Sequence, residues 1–402
     1  MGKKLKVIMI AHASHSYFAN KEDDLKKIVL NDWYFKTASQ LRKFHEGIEV
    51  ECWAPEKDNS GYEEYVENGI KLRFFPVSFS PLYGMDFSFS MLRDLKKEVE
   101  KSYRDGYEVV IHLHECHNLH GLVILDLFKN VRIIVQHHGG SWPLRHLRES
   151  WKKRLFFPLF WLGQLYESRV ICNAEKFYAL SGEEMDYLKS KNCNVVFRTM
   201  GIGDEYFDEI NKRYARRELG IDENEKMIFF LGRVDRMKGV GYLLEAMKKF
   251  RDDDELRGVK LKDVKLKIAG YGKERDELER WAKSEGLDNV EFLGGVFGRE
   301  KLLYLGACDL LVLPSLKEGA PVTVMEAMAC NRPSVVSDVG GVRMMIEDGE
   351  NGKVIRKANV DEIVEGVREV LSWKDKDVRK YANIYKWEKI VEDTVKDYIG
   401  EK

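Results

Sequence analysis

Short apolar runs rich in Val, Ile, Leu and Phe alternate along the chain with stretches of helical period, and this alternation constrains the fold more than any other feature. In the first half the pattern predicts strands over Lys4–Ala11, Ile48–Trp53, Ile70–Pro76, Val109–His114, Val131–His137, Phe177–Leu180 and Val195–Thr199. Helical patterns fall at Trp33–Phe44 and Ser90–Ser102. The second half predicts strands over Met227–Gly232, Val264–Ala269, Val290–Leu293, Leu310–Pro314 and Ser334–Ser337. Its helices are expected at Gly239–Phe250, Glu274–Glu285, Glu300–Ala307 and Val322–Ala329. Strands that are apolar throughout belong to parallel sheets covered on both faces. Two such series predict an α/β chain with two Rossmann-like domains, and the polar stretch Asp204–Leu219 is the natural boundary. In such sheets ligands bind outside the carboxyl ends of the strands. Functional residues are therefore sought in the loops that leave those ends.

At 402 residues the chain exceeds one ordinary core, which agrees with two domains. Its 66 Lys and Arg against 67 Asp and Glu leave a net charge of -1. Nucleic acid is thereby disfavoured as a partner, since its binding runs on excess positive charge. No run approaches the ~18 apolar residues of a membrane span. The opening MGKKLKVIMI lacks the cleavage site of a signal peptide and reads as a buried first strand. The six cysteines are scattered without a CxxC pair, a pattern of reduced thiols in a cytosol. Abundant Lys and Glu beside only Gln40, Gln136 and Gln164 is a hyperthermophile tendency.

The most informative segment is PSLKEGAPVTVMEAMAC, from Pro314 to Cys330. A buried strand ends at Pro314, a loop carries Glu318, and a helix begins near Pro321, where a missing N–H costs nothing. Glu326 follows eight residues after Glu318, about one turn into that helix. A helix start beside Gly319-Ala320 offers backbone N–H groups to an anion, and two carboxylates there can accept from sugar hydroxyls. A helix-end charge at Glu318 and an exposed helical Glu326 fit the same letters equally well.

Resemblance separates the two readings. LPSLKEGAPVTVMEAMACNRPSVVSDVGG resembles the signature of the retaining GT-B glycosyltransferases of family 4, the glycosyl transferases group 1, with their E-x7-E met by Glu318 and Glu326. FFLGRVDRMKG, KIAGYG, VEFLGGV, ACDLLVLPS and the late YKWEKIVEDTVKDY agree with the same family in order and spacing. The resemblance covers the second half strongly and the first half loosely. It implies a GT-B fold, two Rossmann-like domains facing across a cleft: residues 1–205 on the acceptor side, 206–383 on the donor side, and 384–402 crossing back to the first domain.

The implied activity is transfer of a sugar from a nucleotide diphosphate-sugar to a carbohydrate or lipid-linked acceptor hydroxyl, with retention. No metal or other cofactor is implied. Departure of a diphosphate builds negative charge on its oxygens, so fixed cations and N–H dipoles aimed there should be a large catalytic term. By the resemblance, Arg233 and Lys238 bind the diphosphate, and Glu318 with the amides of Gly319, Ala320, Pro321, Val322 and Thr323 holds the sugar and diphosphate (Pro321 through its backbone only). Glu326 takes the ribose hydroxyls, and the backbone near Val296 meets the base.

Three departures stand against the family pattern. The glycine-rich turn after the first strand is replaced by HASHSYFANKEDD (His12–Asp24). Asn331 replaces a glycine, which asparagine's tolerance of the left-handed region allows. Met344 stands where glutamate is frequent. Asp252-Asp253-Asp254 reads as solvated surface rather than a metal-binding D-x-D.

In QHHGGSWP, His138 is the residue that the resemblance places near the reacting sugar, with His137 as the neighbouring alternative. The run IHLHECHNLH (Ile111–His120) gathers four histidines with Glu115 and Cys116, ligand types that zinc favours. HE-x-x-H is not met, because Asn118 occupies the place of the second histidine. His114 and His117, with His137, are accordingly read as acceptor-side residues and no metal is expected. The basic and aromatic segment Ser141–Trp161 reads as a helix packed on its own domain, with a membrane surface as the secondary reading. A cytoplasmic protein results, peripheral at a membrane under that secondary reading. A dehydrogenase lacks its G-x-G-x-x-G here. The alternatives that remain are a non-catalytic sugar-nucleotide binding protein on this scaffold and, behind it, a zinc hydrolase using the histidine run.

Overall fold

The computed structural model describes residues 4–11, 29–30, 32–57, 62–80, 86–138, 157–208, 210–251, 261–374 and 376–401. It divides into two compact units, Met1–Met200 with Ile390–Lys402, and Gly201–Lys389. The last helix, Trp387–Ile399, thus begins in the second unit and ends in the first. The polar stretch Asp204–Leu219 lies inside the second unit, and its helix Lys212–Leu219 is anchored by buried Arg216. That guanidinium donates to the carbonyls of Ala307, Asp222 and Glu223 and meets Asp309 at 3.0 Å.

The first unit holds β1 (Lys4–Ala11), β2 (Ile48–Glu56), β3 (Glu63–Glu67), β4 (Ile70–Pro76), β5 (Tyr107–His114), β6 (Arg132–Gln136), β7 (Lys176–Ala179) and β8 (Val195–Phe197). They lie in the order β3-β4-β2-β1-β5-β6-β7-β8. Every neighbouring pair is parallel except β3 with β4. The apolar strands form as the pattern predicts, with ends shifted by a few residues. β3 is an addition: its sequence EEYVE has no buried face, and an Asn68-Gly69 turn with both φ positive pairs it to β4.

The second unit contains β9 (Met227–Leu231), β10 (Lys265–Ala269), β11 (Val290–Gly294), β12 (Leu310–Leu313), β13 (Ser334–Ser337) and β14 (Gly352–Ile355). All pair in parallel in the order β11-β10-β9-β12-β13-β14. Taken by succession this is the 3-2-1-4-5-6 order of the Rossmann fold. β14 and the helix Val360–Leu371 extend the predicted series. In each unit the strand order reverses once, between β1 and β5 and between β9 and β12. A crevice at the carboxyl ends is expected at such a reversal.

One charge sits in the middle of a buried strand. Lys6 of β1 is 4% exposed and meets Glu49, Glu51 and Glu98 at 2.7, 2.8 and 2.7 Å. Three carboxylates offset a desolvation cost that would otherwise exclude a lysine there.

The expectation of reduced thiols throughout is corrected at one place: Cys172 and Cys193 form a disulfide, with Cα atoms 5.2 Å apart. The turn after helix Gly182–Ser190 returns Cys193 to the end of helix Phe157–Val170, a proximity that a sequence separation of 21 conceals. Cys52, Cys116, Cys308 and Cys330 are free and buried. Residues 141–156, like His12–Asp24 and Asp252–Asp254, lie outside the described residues. Of the expected packed helix, Trp161 is described and is 50% exposed. No helix among the described residues is long and apolar enough to cross a membrane.

The closing helix is held to the first sheet by charge. Asp397 accepts from Tyr178 at 2.7 Å and pairs with Lys176 and Arg198. Burial alone would raise its titration, but Lys176, Arg198 and Tyr178 outweigh burial and hold it below the usual value. Its stabilisation is therefore full above the unfolded carboxylate value of about 3.9 and lost as pH falls through the lower folded value. Asp397→Asn is expected to cost about 3 kcal/mol at pH 7 in denaturant unfolding. The gap from the parent should shrink as the pH drops below 4.

Candidate active site

The site in the second unit is assembled by glycines. After β9 the chain runs through Arg233 and a short 3-10 turn, Arg236–Lys238, closed by Gly239 at φ +70°. A Cβ on Gly239 would lie 2.1 Å from the Pro314 carbonyl oxygen, so only glycine lets this turn reach the end of β12. The amide of Leu316 donates to the Met237 carbonyl at 2.7 Å and fastens the two loops together. Lys238 Nζ consequently meets Glu318 Oε1 at 2.6 Å, and the Ser315 hydroxyl donates to the same oxygen at 2.6 Å. Gly340, at φ +62°, packs against the Glu318 and Gly319 carbonyls, and Gly341 N–H donates to Gly319 at 2.6 Å. This second glycine contact fixes the loop that leads into helix Val322–Ala329.

Pro321 is the residue immediately before that helix, and Gly319, Val322 and Thr323 are half-buried around its start. Ala320 and Pro321 are buried. Glu326 is buried, not exposed as an ordinary helical charge would be, and accepts from Lys301 at 2.8 Å. Tyr206 faces the same carboxylate; burial, reinforced by Glu326, raises its hydroxyl well above the usual range. Arg233 is the open member, its side chain 73% exposed with Asp235 at 3.2 Å. Val296 is buried just after β11, whereas Tyr271 and Phe297 are exposed. Asn331 adopts φ +60°, and its side chain accepts from Val378 and Arg379 at 2.8 and 3.1 Å. Met344 sits partly exposed in the short helix Val342–Met345.

In the first unit the carboxyl ends of β5 and β6 lie side by side, with His114 opposite Gln136. His114 Nδ1 and His138 Nε2 share a hydrogen bond of 2.9 Å, and their rings stack with centroids 5.1 Å apart. Trp33 meets His138 edge-on at 5.2 Å, and Tyr34 meets His114 at 5.9 Å. His138 is half-buried; His114, His117 and His137 have side chains largely out of solvent.

The remaining histidines of the run are structural. His112 shares a 2.5 Å hydrogen bond with Tyr398 of the closing helix, and burial lowers its titration to about 3. His120 packs at 5.2 Å from Phe87, and burial lowers it to about 4. Asn118 caps the helix Leu119–Leu127 by accepting from Gly121 N–H at 2.7 Å, which is why asparagine stands where a zinc helix would need histidine.

Sequence reasoning missed Ser315, Lys301, Tyr206, Trp33 and Tyr34. Ser315 lay within the motif as a hydroxyl three residues before Glu318. Lys301 and Tyr206 reach Glu326 from other elements, at separations that no local spacing reveals.

Two doubly wound units with polar side chains gathered at strand ends define the GT-B architecture. Residues 211–387 match the family described as "Glycosyl transferases group 1", and residues 33–196 match "Glycosyltransferase Family 4". A solved sucrose-phosphate synthase from Thermosynechococcus elongatus covers 98% of each chain with a TM-score of 0.66 at 20% identity. Anabaena HepE, solved in complex with UDP, covers 98% of this chain and 100% of its own, with a TM-score of 0.63 at 15% identity. An uncharacterized glycosyltransferase of Methanocaldococcus jannaschii is 38% identical over 194 residues, 46% of this chain and 47% of that protein. The matched segments span about half the length of the curated relatives. The chain belongs to the family 4, or group 1, glycosyltransferases.

Gly239→Ala should separate Lys238 from Glu318 by pushing the β9 loop off Pro314. A cost of about 1–3 kcal/mol is expected from a forced left-handed alanine, with the carbonyl clash added. Gly220→Ala is the control: its φ is +66° but nothing lies within 4 Å of the added Cβ. Denaturant unfolding should show the smaller loss at Gly220, and equal losses would refute the role given to the close approach.

Proposed function

We propose that the chain transfers a sugar from a nucleotide diphosphate-sugar to an acceptor hydroxyl with retention at the anomeric carbon, without a metal ion at the leaving group. The observation that carries this reading is the Lys238–Glu318 pair, held at the carboxyl ends of the two strands that flank the order reversal. A departing diphosphate needs fixed positive charge there. Lys238 supplies it from a position set by backbone, and Arg233, exposed beside it, closes on the phosphates. The N–H groups at the start of helix Val322–Ala329 add dipoles of the same sign.

Glu318 serves the sugar hydroxyls once the phosphates draw Lys238 away, and Glu326, oriented by Lys301, accepts from the ribose hydroxyl pair. The backbone at Val296 meets the base. His138 attends the reacting sugar, with His114 behind it and His117 and His137 as support on the acceptor side. The UDP of the HepE complex supports a nucleotide as the donor's leaving group.

The reading is tested by incubating the full chain with UDP-, GDP- and ADP-sugars without added magnesium or manganese. At least one nucleotide family should raise the melting temperature and undergo slow hydrolysis or transfer with retained configuration. Absence of any response from folded protein would sink the proposal. Lys238→Ala is expected to lower kcat about 10²–10³-fold. Glu326→Ala should weaken donor binding about 10–100-fold, the worth of a hydrogen bond to a charged group. Full activity in both variants would reject these roles.

A further inference from the structure

The loop after β5 and the end of β6 bring together a group of side chains in which His117 and His137 have only a supporting place in sugar transfer. Cys116, His117 and His137 each present one ligand atom, all within 4.8 Å of one another. Cys116 and His137 are fully buried, and the His117 side chain is 5% exposed. Three carboxylates surround them. Glu184 lies against His137 Nδ1, Glu167 Oε1 is 3.6 Å from His117 Nδ1, and Glu115 Oε1 is 3.4 Å from His137 Nδ1 and 3.8 Å from His117 Nε2. Glu115, Glu167 and Glu184 are themselves 8%, 3% and 8% exposed.

We propose that Cys116, His117 and His137 hold a zinc-class divalent ion, with a Glu115 oxygen in the fourth position. Thiolate with imidazole selects a borderline-soft metal such as zinc rather than magnesium or calcium, which take oxygen ligands. Tetrahedral zinc has ligand atoms roughly 3.5 Å apart, given bonds of about 2.0–2.3 Å, so small side-chain rotations close the present spacing. Glu184 faces Nδ1 of His137 and Glu167 faces Nδ1 of His117, so an ion bound through the Nε2 atoms would meet imidazoles oriented by carboxylates.

The role is structural. Glu115, Cys116 and His117 leave β5 while His137 leaves β6, so the ion cross-links two neighbouring strand ends. Those ends also carry His114 and His138, one residue outside the cluster on either side. The site belongs to the first unit, and the inference does not rest on the donor reading made for the second.

The test uses the full chain, stripped with a chelator and titrated with zinc and then with cobalt(II). Near one equivalent of each should bind, zinc should raise the melting temperature, and cobalt should show a near-ultraviolet thiolate-to-metal absorption. Cys116→Ser should abolish that absorption, Cys52→Ser should retain it, and His117→Gln should weaken binding at least tenfold. Should Cys116→Ser fail to fold, His117→Gln and the cobalt spectrum of the parent still decide. Failure to bind an equivalent at micromolar metal would overturn the proposal in favour of a metal-free imidazole–carboxylate cluster. A cobalt–thiolate band that survives Cys116→Ser, or affinity unchanged by His117→Gln, would overturn it equally.

Discussion

Parallel sheets covered on both faces leave few places for polar chemistry, and this constraint governs both units. Strand backbone groups are consumed by neighbouring strands, and both faces are apolar. Polar side chains therefore gather chiefly at the edges where loops leave the sheet, and a mid-strand charge such as Lys6 stands only where several carboxylates surround it. At an order reversal two such loops diverge to opposite faces and leave room between them. In the second unit the loops after β9 and β12 are then stitched across that room by Leu316 N–H and Met237 carbonyl. Lys238 and Glu318 meet although 80 positions separate them.

The energy of that meeting is positional. The Lys238 and Glu318 side chains are 20% and 9% exposed, so both charges have given up much of their water. Desolvation of such a pair is comparable to its attraction, and the bond adds little to folding. What it does is hold an ammonium and a carboxylate at a fixed place with hydrogen-bonding capacity still available to a ligand. Ser315 shares the load on Oε1, which keeps Glu318 ordered even when the lysine turns elsewhere. Arg233, with Asp235 at 3.2 Å and its side chain 73% exposed, stays open to solvent.

Much of this was legible. Period and apolar content placed most of the strands, because full burial leaves a continuous signature; β3 escaped because EEYVE has no buried face, although the Asn68-Gly69 turn beside it is a strong hairpin signal. Glu318 and Glu326 were singled out by resemblance to the family's E-x7-E, because their spacing alone fitted a helix-end charge and an exposed helical residue equally well; the burial of Glu326 argues against the latter. Their partners Lys301 and Tyr206 were not legible, because they arrive from separate elements and their spacing carries no period. The Cys172–Cys193 bond was hidden for the same reason. Asn331 was readable in both respects, since one conformational requirement, φ +60°, is met by few side chains.

The histidine run shows why adjacency in sequence misleads about shared chemistry. Along β5 the side-chain period of two puts His112 and His114 on one face, and their rings stack with centroids 4.7 Å apart. Burial beneath the closing helix then gives His112 to Tyr398, whereas His114, one step nearer the carboxyl end, reaches His138. At Glu115 the backbone turns through φ +76°, a left-handed conformation costly for a residue with a side chain. That turn breaks the alternation, so Cys116 and His117 are delivered to His137 rather than continuing the face of His114. Asn118 starts a helix, and its turn carries His120 back into the core against Phe87. Four histidines within ten residues thus enter four different environments. The strained residue between them decides which of them can share a ligand.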